Sequence, residues 1–443
     1  MATTMLRGRR APLTTGVIAL AAGTALALAG CSGGAPASSA SVPTDAAQVT
    51  GELNILVSSA SGSDAGFKAV NDAFAAKYPQ VKVNFTAVPN ENYNQARSSR
   101  LTAGTIDVGL ANPKELPSYV PESNKGDDAR LAEAGGFVDL TDQAFMKKFN
   151  PTVLDKIKYA GKNYTVPTGL SYYSGLTYNK KIFADNNLDV PTTWSEFLKV
   201  CDQLKAKGIT PISIGGKDTA GILMLSVVQS LYPTAQAKDD LAKGLYEHSV
   251  ALNDGKQLEV LQKVQQLYGY GQSNFAGSNY NQMTAEFLGG KAAMISDGTW
   301  NVGSLREADK VDFGYFPLPA SDNAADNANL GGKVELSLAV PSNAKNKDAA
   351  MAWLAFFADN YKLFNDKAGF APAQEGVEGD PFYAGIAAYT KNFEPAWDTI
   401  WIANTKAGQA AALPFNWSGV KPMGSGDAQA AADASQKDWD AGK

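Results

Sequence analysis

Few residue types in this chain can do acid–base or metal chemistry. It has one histidine, His248. Zinc hydrolases draw on two or three histidines, and a Ser-His-Asp triad would have to be built on His248 itself. That residue stands in Tyr246-Glu247-His248-Ser249 with no nucleophile motif beside it, so a surface or loop position is expected. Arginine is also scarce: beyond residue 30 only Arg97, Arg100, Arg130 and Arg306 remain. Guanidinium forks are a common grip on phosphates and carboxylates, so the composition tilts towards a neutral ligand. Aromatic side chains are plentiful, with seven Trp, seventeen Tyr and nineteen Phe, and most must be core. Trp397, Trp401 and Trp417 nevertheless fall close together, and the first two are four apart, the spacing of one helix face. No catalytic residue, cofactor or metal site is expected.

The N-terminus carries a different chemistry. Arg7, Arg9 and Arg10 precede an apolar run from Val17 to Leu28, and the run ends in Leu28-Ala29-Gly30-Cys31. That ending resembles the lipobox of bacterial lipoproteins. The run is too short for a mature bilayer span but fits the apolar part of a signal peptide. Residues 1–30 are therefore expected to be a lipoprotein signal peptide, with Cys31 as the lipid-bearing anchor to the outer face of the cell membrane. Cys201 is then left without a partner, and no disulfide can form. The formal charge of −5 becomes more negative once the three leader arginines are gone. A mildly acidic exported chain is a poor match for nucleic acid, which needs a concentrated basic face. Residues 31–49, rich in Gly, Ser, Ala and Pro, read as a flexible tether.

Order is expected from about Glu52. Leu53–Val57 is a short apolar strand; a helix follows at 65–77, stopped before Pro79. Val81, Val83, Phe85 and Ala87 alternate with polar residues, the period of a strand. A helix at 91–103 and a strand at 106–110 complete a strand–helix–strand–helix–strand order, which implies an α/β unit with crossover helices. Thr193 and Glu196 make a capping-box pattern for a helix at 193–207, whose apolar face includes Cys201. Further helices are expected at 347–359 and, with Trp439 as a late anchor, from about 425 onward. A chain of 443 residues is long enough for two such units.

Four segments, in order, carry a resemblance. They are Tyr178-Asn179-Lys180-Lys181-Ile182-Phe183 with Pro191–Phe197; Phe287–Met294 running into Gly298-Thr299-Trp300; Phe313-Gly314-Tyr315-Phe316-Pro317-Leu318-Pro319; and Gly331-Gly332 followed by Leu336–Pro341. Together they resemble family 1 extracellular solute-binding proteins, the receptors of ABC importers of the maltose-binding type. Two departures stand out: Thr105-Ile106-Asp107 keeps an acid but lacks the proline many relatives have, and Tyr172 stands where the maltose-binding branch has a carboxylate. The resemblance implies an α/β, two-lobed clamp of the periplasmic-binding-protein type II kind, with the ligand cleft between lobes. Lobe 1 would hold 50–171 with 333–369, and lobe 2 would hold 173–331 with 372–443. The chain would cross near 170–175, 330–334 and 369–373, and ligand would close the lobes like a hinge. The implied partners are a carbohydrate and an importer permease, with the receptor acting as a monomer.

A sugar cleft needs aromatic faces for pyranose C–H surfaces, and carboxylates or amides for hydroxyl groups. Trp300, after the Gly298 turn, is the foremost candidate for stacking, since the family often puts an aromatic there. Asp107 occupies the position of a ligand-binding acid in relatives. Asn112 and Lys114 open the following loop. Tyr172 and Tyr173 lie at the first crossing, one expected to face ligand and the other to pack. Asp297 is a candidate hydroxyl acceptor, and Trp397 or Trp401 a candidate cleft aromatic. Phe370 lies at the last crossing; Glu91 and Tyr93 follow the Val81 strand. Two other readings compete. A polyamine receptor would use Asp107, Asp297 and Glu335, and an exported glycosidase would need Asp107 and Asp297 across a cleft.

Overall fold

A computed structural model describes residues 40–59, 62–391, 393–410 and 413–442. The leader and Cys31 lie outside the described residues. The first strand, β1 (Gly51–Ser59), pairs in parallel with β2 (Val81–Pro89) along its whole length, Gly51 opposite Val81. Helix α1 (Ser63–Lys77) connects them and buries Phe67, Val70 and Phe74. Helix α2 (Asn90–Thr102) leads on to a strand that runs parallel to β1 through Val108, then forms β3 (Gly109–Leu110). The order and polarity are those expected for crossover units, with helix limits within two residues of the sequence reading.

The tether ends sooner than expected. Ala40 and Val42 pack against the same core as β1, and Val49 is fully buried. Gln143 fixes this stretch by donating to the Ala40 carbonyl at 2.9 Å. The two valines supply apolar surface that a Gly/Ser reading of the segment undervalues.

Strand β4 (Gly169–Tyr172) runs straight on towards β5 (Gly175–Asn179), and the two belong to different sheets. β5 is central to a four-stranded sheet with β6 (Thr210–Ser213), β7 (Ala292–Ile295) and β8 (Phe313–Pro317), in the order β6-β7-β5-β8. β4 instead pairs antiparallel with β9 (Gly331–Glu335), Gly169 opposite Glu335 and Tyr172 opposite Gly332. Leu170 also exchanges backbone hydrogen bonds with Ala371. Three chain segments far apart in sequence thus run side by side as extended ribbon. Beyond β9, β10 (Leu338–Ala339) returns to pair with β3, and β11 (Glu394–Pro395) adds to the other edge of β9.

Two large hydrophobic cores flank this ribbon. One is built on β1, α1 and the helix Lys347–Asp359, where Trp353 and Phe357 stack at 5.6 Å. The other is built on the helices Trp194–Ala206 and Ala220–Leu231 and includes Trp397, Trp401 and Trp439. The Thr193–Glu196 capping box forms as expected. Cys201 is buried on that helix, and its thiol is pushed up by burial, which makes it an inert filler. The first core also takes in Phe287, Phe313 and Tyr315, so the two cores meet behind β5 and β8. Among the described residues, no helix is long and apolar enough to cross a membrane.

Candidate functional site

Adjacent residues of an extended chain point to opposite sides. Tyr172 and Tyr173 do this at the end of β4, and each enters a different core. Tyr172 turns towards Phe393, ring centroids 6.3 Å apart, and burial pushes its hydroxyl up to about 12. Tyr173 turns the other way and donates to Asp398 Oδ1 at 2.7 Å. Its ring lies 5.3 Å from that of Trp300.

Trp300 sits in a single tight turn, Thr299–Asn301, after β7. It is half-buried and touches both cores. Gly298 makes its position possible: a Cβ there would come within 2.4 Å of the indole ring. Asp297 holds the turn from below. Its carboxylate is fully buried and accepts from Tyr280 Oη at 2.9 Å, Gly298 N at 2.8 Å and Asn301 Nδ2 at 2.7 Å. Burial raises its pKa to about 7, against the lowering effect of those hydrogen bonds. Its oxygens are committed to protein donors, so it supports the turn and is not an open hydroxyl acceptor.

Lys333, on β9, completes the group. Its Nζ lies 5.2 Å from the Trp300 ring centroid and 5.8 Å from that of Tyr173. It also pairs at 3.3 Å with Glu335, which is buried and hydrogen-bonded to Ser171 of β4. The aromatic pair is therefore tied, through one lysine, to the paired crossing strands.

A cavity of about 540 Å³ opens beside this group. Residues 112–115 and 155–158 form one wall, 393–402 the other, and Gly332–Ser337 the floor. A second cavity of about 490 Å³ shares Asn112, Lys114 and Ile402 with it and is bordered by Trp401. Both volumes lie in the usual range for small-molecule sites. Lys114 reaches across and donates to the Thr399 carbonyl at 3.1 Å. Burial pushes its ammonium below the usual lysine range, and the Asp398 carboxylate partly offsets this.

Several expected site residues lie elsewhere. Asp107 opens its strand and does not end it. It is buried and accepts from Asn54 N, Asn54 Nδ2 and Asn346 N at 2.8–2.9 Å, joining β1 to the start of the helix Lys347–Asp359. Asp107→Ala should lower stability by about 2 kcal/mol or more, because two backbone donors lose their acceptor. Ligand affinity should not change; urea unfolding and a binding titration on the same variant check both. Tyr93 is buried, and its hydroxyl accepts from Leu110 N at 2.6 Å, a packing role. Phe370 is core beside Phe364, at 5.9 Å, and Trp397 is core, stacked on Trp401 at 5.3 Å. Large apolar side chains at these crossings fill the cores instead of facing the cleft. Glu91 lies in the first turn of α2, and its side chain is outside the described residues. Asn112 and Trp401 do border the cavities.

Lys333, Asp398 and Thr399 were not singled out from sequence. Asp398 directly follows a tryptophan that drew attention for its ring, and Lys333 lies inside the Gly331-Gly332 crossing motif. Asp107 and Asp297 serve separate hydrogen-bond sets, and neither borders the cavities above. That leaves a mechanism using these two as a pair without support, and of the three carboxylates a polyamine cage would use only Glu335 lies by the cavity floor, where it is paired with Lys333.

Residues 58–361 match the family model described as bacterial extracellular solute-binding protein. A multiple sugar-binding protein of Streptococcus mutans is 26% identical over 72% of this chain and 74% of its own length. A probable sugar-binding periplasmic protein of Mesorhizobium japonicum is 27% identical over 59% of this chain and 64% of its own length. Among solved structures, the solute-binding protein RafE in complex with raffinose superposes with a TM-score of 0.72, at 22% identity, over 88% of this chain and 99% of its own. A chitin oligosaccharide binding protein gives 0.66 at 22% identity, over 89% and 99%.

Proposed function

The chain belongs to the family of bacterial extracellular solute-binding proteins, and we propose that within it this protein is a carbohydrate receptor that hands its ligand to an ABC importer permease. It binds without turnover. The observation that carries this reading is the cavity walled by two separate chain regions over a floor of paired crossing strands, with Trp300 and Tyr173 alongside. The partly exposed Trp300 offers a face to the C–H surface of a pyranose, with the buried Tyr173 backing it, while Asn112, Lys114, Thr399 and Asp398 offer polar atoms to its hydroxyl groups. Raffinose and chitin oligosaccharides name the ligands of similar structures and support a saccharide here.

The lobes are proposed as 50–171 with 333–369 and 173–331 with 372–443. The side-by-side pairing of β4, β9 and Ala371 supports a hinge at their border. Cys31 is proposed as the lipid anchor that keeps the receptor at the outer membrane face.

A thermal-shift screen of the leaderless protein against mono- and oligosaccharides tests the reading. A ligand that binds only the folded state at a hundredfold above Kd stabilises it by about 2.7 kcal/mol. A rise with one saccharide, accompanied by compaction in X-ray scattering, is the expected result. Silence with every saccharide and a rise with amino acids or polyamines would overturn it.

A further inference from the structure

The two cavities of the cleft share a border. Asn112, Lys114 and Ile402 line both of them, and Lys114 bridges the walls there, its Nζ donating to the Thr399 carbonyl at 3.1 Å. Both ends of this bar are preset. On the lysine's side, Asn112 N donates to Asp128 Oδ2 at 2.6 Å, and Asp128 pairs with Arg97 at 2.5 Å, both side chains largely buried. Pro113, buried between Asn112 and Lys114, stiffens the backbone that carries the lysine. On the carbonyl's side, Thr399 lies in the short helix Trp397–Ile400. Trp397 ties that helix to Trp401 by ring stacking, and Asp398 ties it to Tyr173 at 2.7 Å. One side of the bar is the cavity that Lys333 and Asp398 connect to Trp300. The other side is the cavity bordered by Trp401. It adjoins a third, of about 660 Å³, with which it shares Asn112, Gly126, Asp127 and Arg130.

Resting on the saccharide reading above, we propose that Lys114 determines ligand length, its bond to Thr399 closing the cleft to a saccharide of one or two units beside Trp300. A cavity of about 540 Å³ is the size that takes one compact small molecule, which for a carbohydrate is one ring or two. A longer ligand growing out of the Trp300 side meets the bar. It has to break the hydrogen bond, move the ammonium and satisfy the Thr399 carbonyl afresh, so the next ring gains little. The space beyond is large enough for further rings, and Trp401 stands at its edge. A lysine stem is flexible, so the closure rests on the bond and on the bulk of the stem together. Those two contributions can be removed separately: methionine keeps most of the stem and loses the bond, and alanine loses both.

Isothermal titration with oligomers of glucose, galactose, xylose and N-acetylglucosamine tests this. The readout is the ratio of affinities for the four-unit and two-unit members of whichever series binds. In the parent that ratio should be near one, because the added rings gain no contact. In Lys114→Ala it should rise to about tenfold, the worth of one or two hydrogen bonds gained past the bar. Lys114→Met should fall between the two. The ratio is used because Lys114 also faces the bound sugar, so affinity for every length is free to drop in the variants. A ratio in Lys114→Ala no higher than the parent's overturns the length limit, since the lysine is then a ligand contact alone. A ratio of about ten or more in the parent also overturns it, since the cleft is then open past Lys114. If Lys114→Ala does not fold, Lys114→Met and the parent's own ratio decide. Either overturning result leaves the receptor reading standing; failure of every saccharide of every length in the parent overturns both.

Discussion

Trp300→Ala should weaken saccharide binding by about 30- to 100-fold, a loss of roughly 2–3 kcal/mol typical of a central aromatic contact. Among the described residues the indole is the only ring that is partly exposed and packs against both cores, and it lies against a second aromatic at 5.3 Å. Its position is imposed by its surroundings. Gly298 leaves room for the ring against the backbone, and the Lys333 ammonium lies 5.2 Å from its centroid. A preset ring loses little entropy when a sugar stacks on it. The ring is only partly exposed and packs against both cores, so the variant should also lose some stability, and affinity is compared well below the melting temperature of each protein. Trp300→Phe keeps a face in the same place and should restore most of the affinity. Calorimetric titration of the three proteins checks this, with melting temperatures as the control. If Trp300→Ala binds like the parent, the indole is packing and the stacking face lies elsewhere.

Much of the fold was legible because it is written in local patterns. The apolar strand at 53–57, the alternation from Val81 and the Thr193–Glu196 box each fix a structure within a few residues. The order of four family motifs then supplied what local patterns cannot, the expectation of a two-lobed α/β clamp; which strands share a sheet came only from the structure. The site was less legible, for physical reasons. Phe370 and Trp397 look the same in sequence whether they fill a core or line a cleft; both fill cores. Asp107 was expected to meet ligand, but the ladder begins just after it, at the pairing of Val108 with Ile55, and its carboxylate is spent on Asn54 and Asn346. Lys333 and Trp300 meet because β9 passes beside the turn after β7. A lone lysine carries no periodic signal of such a meeting. Of Tyr172 and Tyr173, one was expected to face ligand and the other to pack; the extended backbone sends them to opposite sides, and both are buried, one in each core.

Asp297→Asn should make the protein gain on its parent by about 2–3 kcal/mol between pH 5 and pH 8, the largest pH-linked effect expected from one side chain here. The sign follows from proton counts. In the unfolded chain the carboxyl titrates near 3.8; in the folded protein burial lifts it to about 7. Between those values the native state holds a proton that the unfolded state has released. Stability attributable to this group is therefore present below about pH 3.8 and is lost as the pH rises through 7. Asparagine does not titrate and escapes this loss. It also fits: its carbonyl can accept from Gly298 N, and its amide can donate to Tyr280 Oη, provided Asn301 presents its oxygen instead of its nitrogen. The other groups facing the site are the hydroxyls of Tyr280, Tyr315 and Tyr383, and burial holds the last two above their ordinary range. Those two do not titrate between pH 5 and 8. Lys238, whose buried ammonium is lowered to about 8, is shared by both proteins and cancels in the difference. Urea unfolding of parent and variant at four pH values measures it directly. Parallel curves would mean that Asp297 stays ionised across the range. In that case its hydrogen bonds to Tyr280, Gly298 and Asn301 outweigh burial, and the turn under Trp300 is clamped by charge, so the same substitution should loosen the indole and weaken binding.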